Sequence, residues 1–417
     1  MFSRRAFLKS SSLALAAAGV GGVPTFLARA AQAAPALGPH ARRKTLVCVF
    51  QRGAMDGLAA IQPLDDPFLQ RLRPRLASPR RGDDALIDIG QDFGMHPALS
   101  PLADLYREGQ MGIVHGVGSP VVTRSHFDAQ DFMETGMRDE RRTRSGWLNR
   151  ASGMLGHEAP VTPFRAVAIT PALPVALQGD APALAIAKLD DFGVVSPGMA
   201  GLDAAGQGLE ALYAQTARDV LGDASRQGFE AVRLLEDARL NKLEPSSVEY
   251  PRSPLGRSLS QIAQLVKSDV GLEIAFAESG GWDTHAQQGS TGGAFARRVG
   301  DLAGSLAAFW EDLGTHRDDV VLMTMTEFGR TVAQNGSGGT DHGRGSCLFV
   351  LGNDVKGATV HGTIPTLDPD ALEDGRDLPV TTDFRDVFAG LAGQHLGIAD
   401  PRSLFPGWTG DPMSLLA

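Results

Sequence analysis

The stretch VVLMTMTEFGRTVAQNGSGGTDHGRG, Val320 to Gly345, decides how the chain is read. Val320 to Thr326 are almost all apolar or β-branched, the pattern of a central strand covered on both faces. The run breaks into Glu327-Phe328-Gly329-Arg330, continues as a loop rich in Gly, Asn and Ser, and ends in Asp341-His342-Gly343-Arg344. Acids and a histidine therefore gather just past the carboxyl end of a buried strand. In open α/β sheets that edge is where ligands bind.

The composition is compatible with such a sheet. Of 417 residues 43% are hydrophobic, which supplies one large domain with an insertion or two domains. Only 6% are aromatic, so the core is expected to be aliphatic. A net charge of -9 argues against a general nucleic-acid binder. Cys48 and Cys347 lie in apolar runs and read as buried free thiols.

Ser3-Arg4-Arg5-Ala6-Phe7-Leu8-Lys9 matches the twin-arginine export consensus, and Ala31-Gln32-Ala33 is an A-x-A cleavage site. Residues 1–33 thus read as a signal peptide, 34–44 as a linker and 45–417 as the folded domain of a periplasmic or secreted protein. The apolar part of the signal falls below the roughly 20 residues that span a bilayer comfortably, and no stable span is expected in the mature chain.

Further strands end in chemistry. Thr45 to Phe50 is a buried strand that runs into Gly53-Ala54-Met55-Asp56-Gly57, and Asp56 suits either a turn or a ligand. Residues 65–92 are polar and read as surface loop and short helix. Met111 to His115 is a second strand. Thr123-Arg124-Ser125-His126-Phe127-Asp128 starts a helix; Ser125 and Asp128 fit a capping pattern, and a hydroxyl placed there sits in a positive field. Four arginines between Arg138 and Arg144 form a basic run, a solvated loop or an anion-steering rim. Residues 171–251 read as a less regular insertion or cap with a helical centre. Leu272 to Ala277 is a strand ending in Trp282-Asp283-Thr284-His285, whose acid and histidine face one way on an extended segment. The helix Phe295 to Leu313 returns to Val320, which is the strand–helix–strand grammar of a parallel sheet. Carboxylates with imidazoles suit Zn²⁺ or Mn²⁺.

Gly53 to Leu58, His96-Pro97-Ala98-Leu99, Ser125 to Gln130, Ser145-Gly146-Trp147-Leu148, Gly281 to His285, Thr326 to Thr331 and Gly339 to Gly343 occur in this order behind the twin-arginine start. Together they resemble the bacterial exported family called domain of unknown function 1501, over nearly the whole mature chain. That family is grouped with the alkaline phosphatase and sulfatase superfamily. The resemblance implies an α/β/α sandwich on one large, mostly parallel sheet, and metal-assisted hydrolysis or transfer of a phosphate ester. A sulfate ester fits less well, since Ser125 lacks the sulfatase flanking signature. By the same resemblance Asp56, Asp283, His285, Glu327, Asp341, His342 and His361 are metal ligands, and two divalent ions are implied (Zn or Mn first, Mg or Ca next). Ser125, with Thr123 as the alternative, resembles the nucleophile, and Arg124, Arg330 or Arg344 holds the non-bridging oxygens. A second expectation is a non-catalytic binding or assembly protein that keeps the fold and works with a partner from the exported family numbered 1800.

Overall fold

Strand β1 (Thr45–Arg52) occupies the middle of the sheet, and all but its last residue are buried. Leu46, Cys48 and Phe50 pack into a core with Phe384, Val387 and Phe388. The alternate residues Val47 and Val49 are equally buried. Successive side chains of a strand point to opposite faces, so both faces of the sheet are covered. That is why β1 is a continuous apolar run rather than an alternating one.

The chain continues through β2 (Ile61–Pro63), β3 (Ile87–Asp88), β4 (Phe93–Met95), β5 (Met111–Gly118), β6 (Ala166–Ala168), β7 (Leu184–Ala185), β8 (Ile274–Gly280), β9 (Val320–Met325), β10 (Ser346–Leu351), β11 (Val360–His361) and β12 (Thr382–Asp383). Nine of these form the main sheet, in the order β11-β5-β10-β9-β1-β8-β6-β7 with β12 also on β5. β1 is parallel to β8 and β9, and β11 and β12 are parallel to β5. β10 runs antiparallel between β5 and β9. The sheet is therefore mixed, because β9 reaches β10 through the Thr326–Gly345 loop and not through a crossover helix.

This computed structural model describes residues 43–137, 145–156, 162–189 and 246–417. The signal segment, most of the linker, the arginine run and the centre of the insertion lie outside the described residues. The described residues make up one compact unit. Among the described residues no helix is long and apolar enough to cross a membrane.

The helices follow from their spacing and caps. Phe384–Leu396 begins at Asp383, whose carboxylate accepts from the Arg385 amide, and stops at Gly397 in the left-handed region. Its buried Phe384, Val387, Phe388 and Leu391 sit at the i, i+3, i+4 and i+7 positions of one face. Helices Pro254–Lys267 and Ala294–Leu313 pack on each other, and the first also packs on β8. The region 65–92, read as surface, is more ordered than its polarity suggests. It holds Arg73 at 1% exposure, and β3 joins β2 and β4 in a small second sheet. Cys48 and Cys347 are both buried and free, and burial pushes their thiols well up.

Candidate metal centre

β1, β8 and β9 lie side by side and end at one edge of the sheet, so the segments that follow them meet. Gly53, just past β1, has φ +116°, and a Cβ there would lie 2.7 Å from the Asp283 backbone nitrogen. Only glycine lets the end of β1 come this close to the segment after β8. Trp282 anchors that segment: its ring is buried and its Nε1 donates to the Ser279 carbonyl at 3.0 Å. Past β9, the loop folds back on itself. Thr331 N donates to Asp341 O at 2.9 Å and Gly343 N to Gly329 O at 2.8 Å, which brings His342 beside Arg330.

The fourth contribution comes from helix His126–Thr135. Ser125 is its N-cap, with Oγ accepting from the Asp128 amide. His126 and Gln130, one turn apart, both reach Glu327 Oε1, at 2.8 and 2.9 Å.

Three imidazoles thus surround Asp283, and each is held by its Nδ1. His126 Nδ1 lies 2.8 Å from Glu327 Oε1, which also accepts from Gly53 N. His342 Nδ1 lies 2.8 Å from the Arg124 carbonyl, and His285 Nδ1 lies 3.0 Å from Asp341 Oδ1. A carbonyl or an ionised carboxylate only accepts, so each Nδ1 carries the hydrogen. In the neutral rings the lone pair is then on Nε2, and all three Nε2 atoms face Asp283. His342 and His285 Nε2 are 3.2 and 3.0 Å from Oδ1, and His126 Nε2 is 3.5 Å from Oδ2. His285 and His342 Nε2 are 2.9 Å from each other. Two bare nitrogens at that distance repel unless a proton or a cation lies by them. Among the described residues His126 Nε2 is buried without a hydrogen-bond partner.

The ligand atoms of His126, Asp283 and His342 lie within 4.8 Å of one another, and His285 Nε2 stands as near to Asp283 and His342. The donor set fits a divalent ion of borderline softness, and backing each imidazole by an acceptor is how metal-binding histidines are oriented. Asp283 and His285 keep 43% and 44% of their side-chain surface exposed, so one side of the cluster is open.

The charges agree with this arrangement. Burial pushes the Asp283 carboxyl up, but the Arg330 guanidinium 2.7 Å away, with His285 and His126, holds it below the usual carboxylate range. Burial likewise opposes ionisation of Glu327, and the hydrogen bonds from His126, Gln130 and Gly53 outweigh it. The bond to Glu327 raises His126, and burial lowers His342. Hydrogen bonds from His285 and Asn335 lower Asp341. A proton and a metal ion compete for the same Nε2 lone pairs.

The residues singled out in the sequence are distributed unevenly around this cluster. Asp283, His285 and His342 converge, and Glu327 and Asp341 stand behind the imidazoles of His126 and His285. Asp56 caps a short helix and pairs with buried Arg73 at 2.8 Å and with Gln288 at 2.7 Å. His361 lies on β11, with Nε2 bonded to the Lys356 carbonyl. Ser125 sits between Arg124 and His126, both of which touch the cluster. The three arginines are all engaged. Arg330 bonds Asp283 and Thr340, Arg344 bonds Glu373 and the Ser119 carbonyl, and Arg124 bonds Asp377. His126 and Gln130 were not singled out. Their signal was a histidine directly after a helix N-cap with a polar side chain one turn on.

The site and sheet define an α/β protein with an imidazole–carboxylate cluster at the carboxyl edge of its central strands. The chain belongs to the family described as protein of unknown function DUF1501, whose model matches residues 115–406. No curated protein matches it. Among solved structures it is similar to the C-terminal periplasmic domain of EcEptC from Escherichia coli, crystallised in complex with Zn. Identity is 10%, 75% of this chain and 73% of that one are covered, and the TM-score is 0.35.

Proposed function

We propose that the protein is an exported metal-dependent hydrolase or transferase acting on phosphate esters at the His126–Asp283–His342 centre. The observation that carries the metal reading is the orphaned His126 Nε2, buried and aimed at Asp283 while Glu327 fixes its other nitrogen. Zn²⁺ or Mn²⁺ fits the donors best, and His285 is a further ligand on the open side. The described side chains gather one cluster of donors around Asp283.

His126, Asp283 and His342 would hold a divalent ion there, which would supply polarisation of an ester oxygen and a lowered pKa for an oxygen nucleophile. The protein's own parts have distinct tasks. Arg330 holds the Asp283 carboxylate in place and keeps it ionised. Glu327, Asp341 and the Arg124 carbonyl aim the imidazoles. Ser125, on the helix start between two groups of the cluster, is the candidate nucleophile, and its field favours an anion. Twin-arginine export of the folded chain fits a centre loaded before export.

A second reading has its own support. All three arginines proposed for the substrate oxygens are already paired, which favours a metal-binding protein without ester turnover that works through a partner. One experiment separates the two. Mature protein and its Asp283→Ala and Ser125→Ala variants are analysed for bound metal and assayed with an aryl phosphate. The hydrolase reading expects metal and turnover in the wild type, neither in Asp283→Ala, and metal without turnover in Ser125→Ala. Metal without turnover in the wild type favours the second reading. Absence of metal after reconstitution refutes both.

A further inference from the structure

Helix His126–Thr135 turns Phe127, Asp131 and Glu134 towards a cavity of about 370 Å³. Arg52, Glu278 and the wall Pro171–Val175 complete it. Its size is that of a small-molecule site. None of His126, Asp283, His285 and His342 lines it.

Its charge is unbalanced. One guanidinium faces three carboxylates, and that guanidinium is already committed. Arg52 lies 2.9 Å from Glu134, 2.7 Å from Glu278 and 2.9 Å from Gln130 Oε1. Asp131 has no hydrogen bond or ion pair to its carboxylate among the described residues. Burial and the neighbouring Asp128 push that carboxyl up, and the charge of Arg52 offsets them only in part. The rest of the lining is apolar apart from Gln130, Thr170 and Gln178. Leu173, Pro174 and Val175 form one wall, and Phe127, 84% exposed, stands at the rim with no burial of its own to explain it.

We infer that this cavity binds a cationic, amine-bearing small molecule with an apolar body. The ammonium is held by Asp131, and the body lies against Phe127 and the Pro171–Val175 wall. Anionic ligands are disfavoured, because the one cation that lines the cavity is consumed by Glu134 and Glu278. The inference does not depend on the metal reading.

The test is calorimetric titration of the mature protein with phenethylammonium, and separately with 3-phenylpropionate, which carries a carboxylate on a similar body. Saturable binding of the ammonium alone, weakening as salt is raised, is the expected result. Asp131→Asn keeps the size of the side chain and is expected to weaken binding about tenfold or more, the effect of a lost charge-assisted hydrogen bond. Phe127→Ala, at an exposed position, also weakens it. Asp283→Ala binds phenethylammonium as the wild type does, which separates this site from the metal centre. Absence of saturation overturns the inference, as does equal binding of the two probes or wild-type affinity in Asp131→Asn. Loss of binding in Asp283→Ala places the ammonium at the metal centre and overturns it as well.

Discussion

Replacing Glu327 by glutamine changes the charge behind His126 and almost nothing else. The side chain has no exposed surface, and its Oε1 accepts from the Gly53 amide, His126 Nδ1 and Gln130 Nε2. An amide oxygen in that place still accepts all three. The other atom faces Thr326 Oγ1 at 3.2 Å, an oxygen that can accept from an NH₂ group. The fold and the aim of the imidazole are therefore expected to survive. What is lost is the carboxylate's push on the ring, which makes Nε2 a stronger donor. Loss of such an outer partner typically weakens metal affinity by about 10- to 100-fold, or about 1.4 to 2.8 kcal/mol. Competition with a chromophoric chelator reads this directly, with urea unfolding of the metal-free protein as the control for folding. His126→Ala, which removes a donor outright, should cost more than Glu327→Gln. The reverse order, with Glu327→Gln abolishing binding and His126→Ala leaving it intact, would show that Glu327 is itself the ligand and refute the reasoning.

Three further outcomes test other parts of the structure. Gly53→Ala forces a Cβ to within 2.7 Å of Asp283 N at φ +116°, so it should lower stability by about 1–3 kcal/mol and reduce metal content; an unchanged urea midpoint and full metal loading would contradict it. Asp56→Asn breaks an ion pair with Arg73 in which both side chains are 1% exposed, costing about 3–5 kcal/mol, yet the fraction that remains folded should carry metal as the wild type does; metal loss without loss of stability would make Asp56 a ligand. His115 and His395 are buried and held down to about 4 from an ordinary 6.5, so the unfolded chain takes up protons first as pH falls. Their contribution is complete above about pH 6.5 and is lost as pH drops towards 4, on the order of 3 kcal/mol for each; urea midpoints of chelator-treated protein that stay flat between pH 7 and 4.5 would refute it.

The strand ends were legible because burial and chemistry are written in consecutive residues. The apolar run Val320–Met325 followed by Glu327, and Ile274–Ala277 followed by Asp283, could be read without knowing the neighbours. What was not legible is which face a polar group meets. Glu327 and Asp341 lie where ligands belong, but only the structure shows imidazole nitrogens in front of them. His126 was hidden because its helix start also satisfies an ordinary cap, and the direction of its ring depends on Glu327, 201 residues away. The partner of Asp56 was hidden in the same way: Arg73 lies in a polar stretch whose composition gives no hint that one of its charges is buried. Cys347–Leu351 reads as a strand, but its antiparallel direction was not legible, because a strand's direction depends on how the loop before it returns.

The central position of β1 sets an order of events. Its partners β8 and β9 come from the second half of the chain, and the Thr45 hydroxyl bonds Leu272, 227 residues later. A nascent chain that has made β1 therefore holds an apolar strand with no neighbour for most of its synthesis, and pairings this distant in sequence form slowly. The donors at 126, 283 and 342 come together only after β9 has joined the sheet. An ion captured there cannot nucleate folding. On the proposed metal reading, bound metal would report that β9 has joined the sheet.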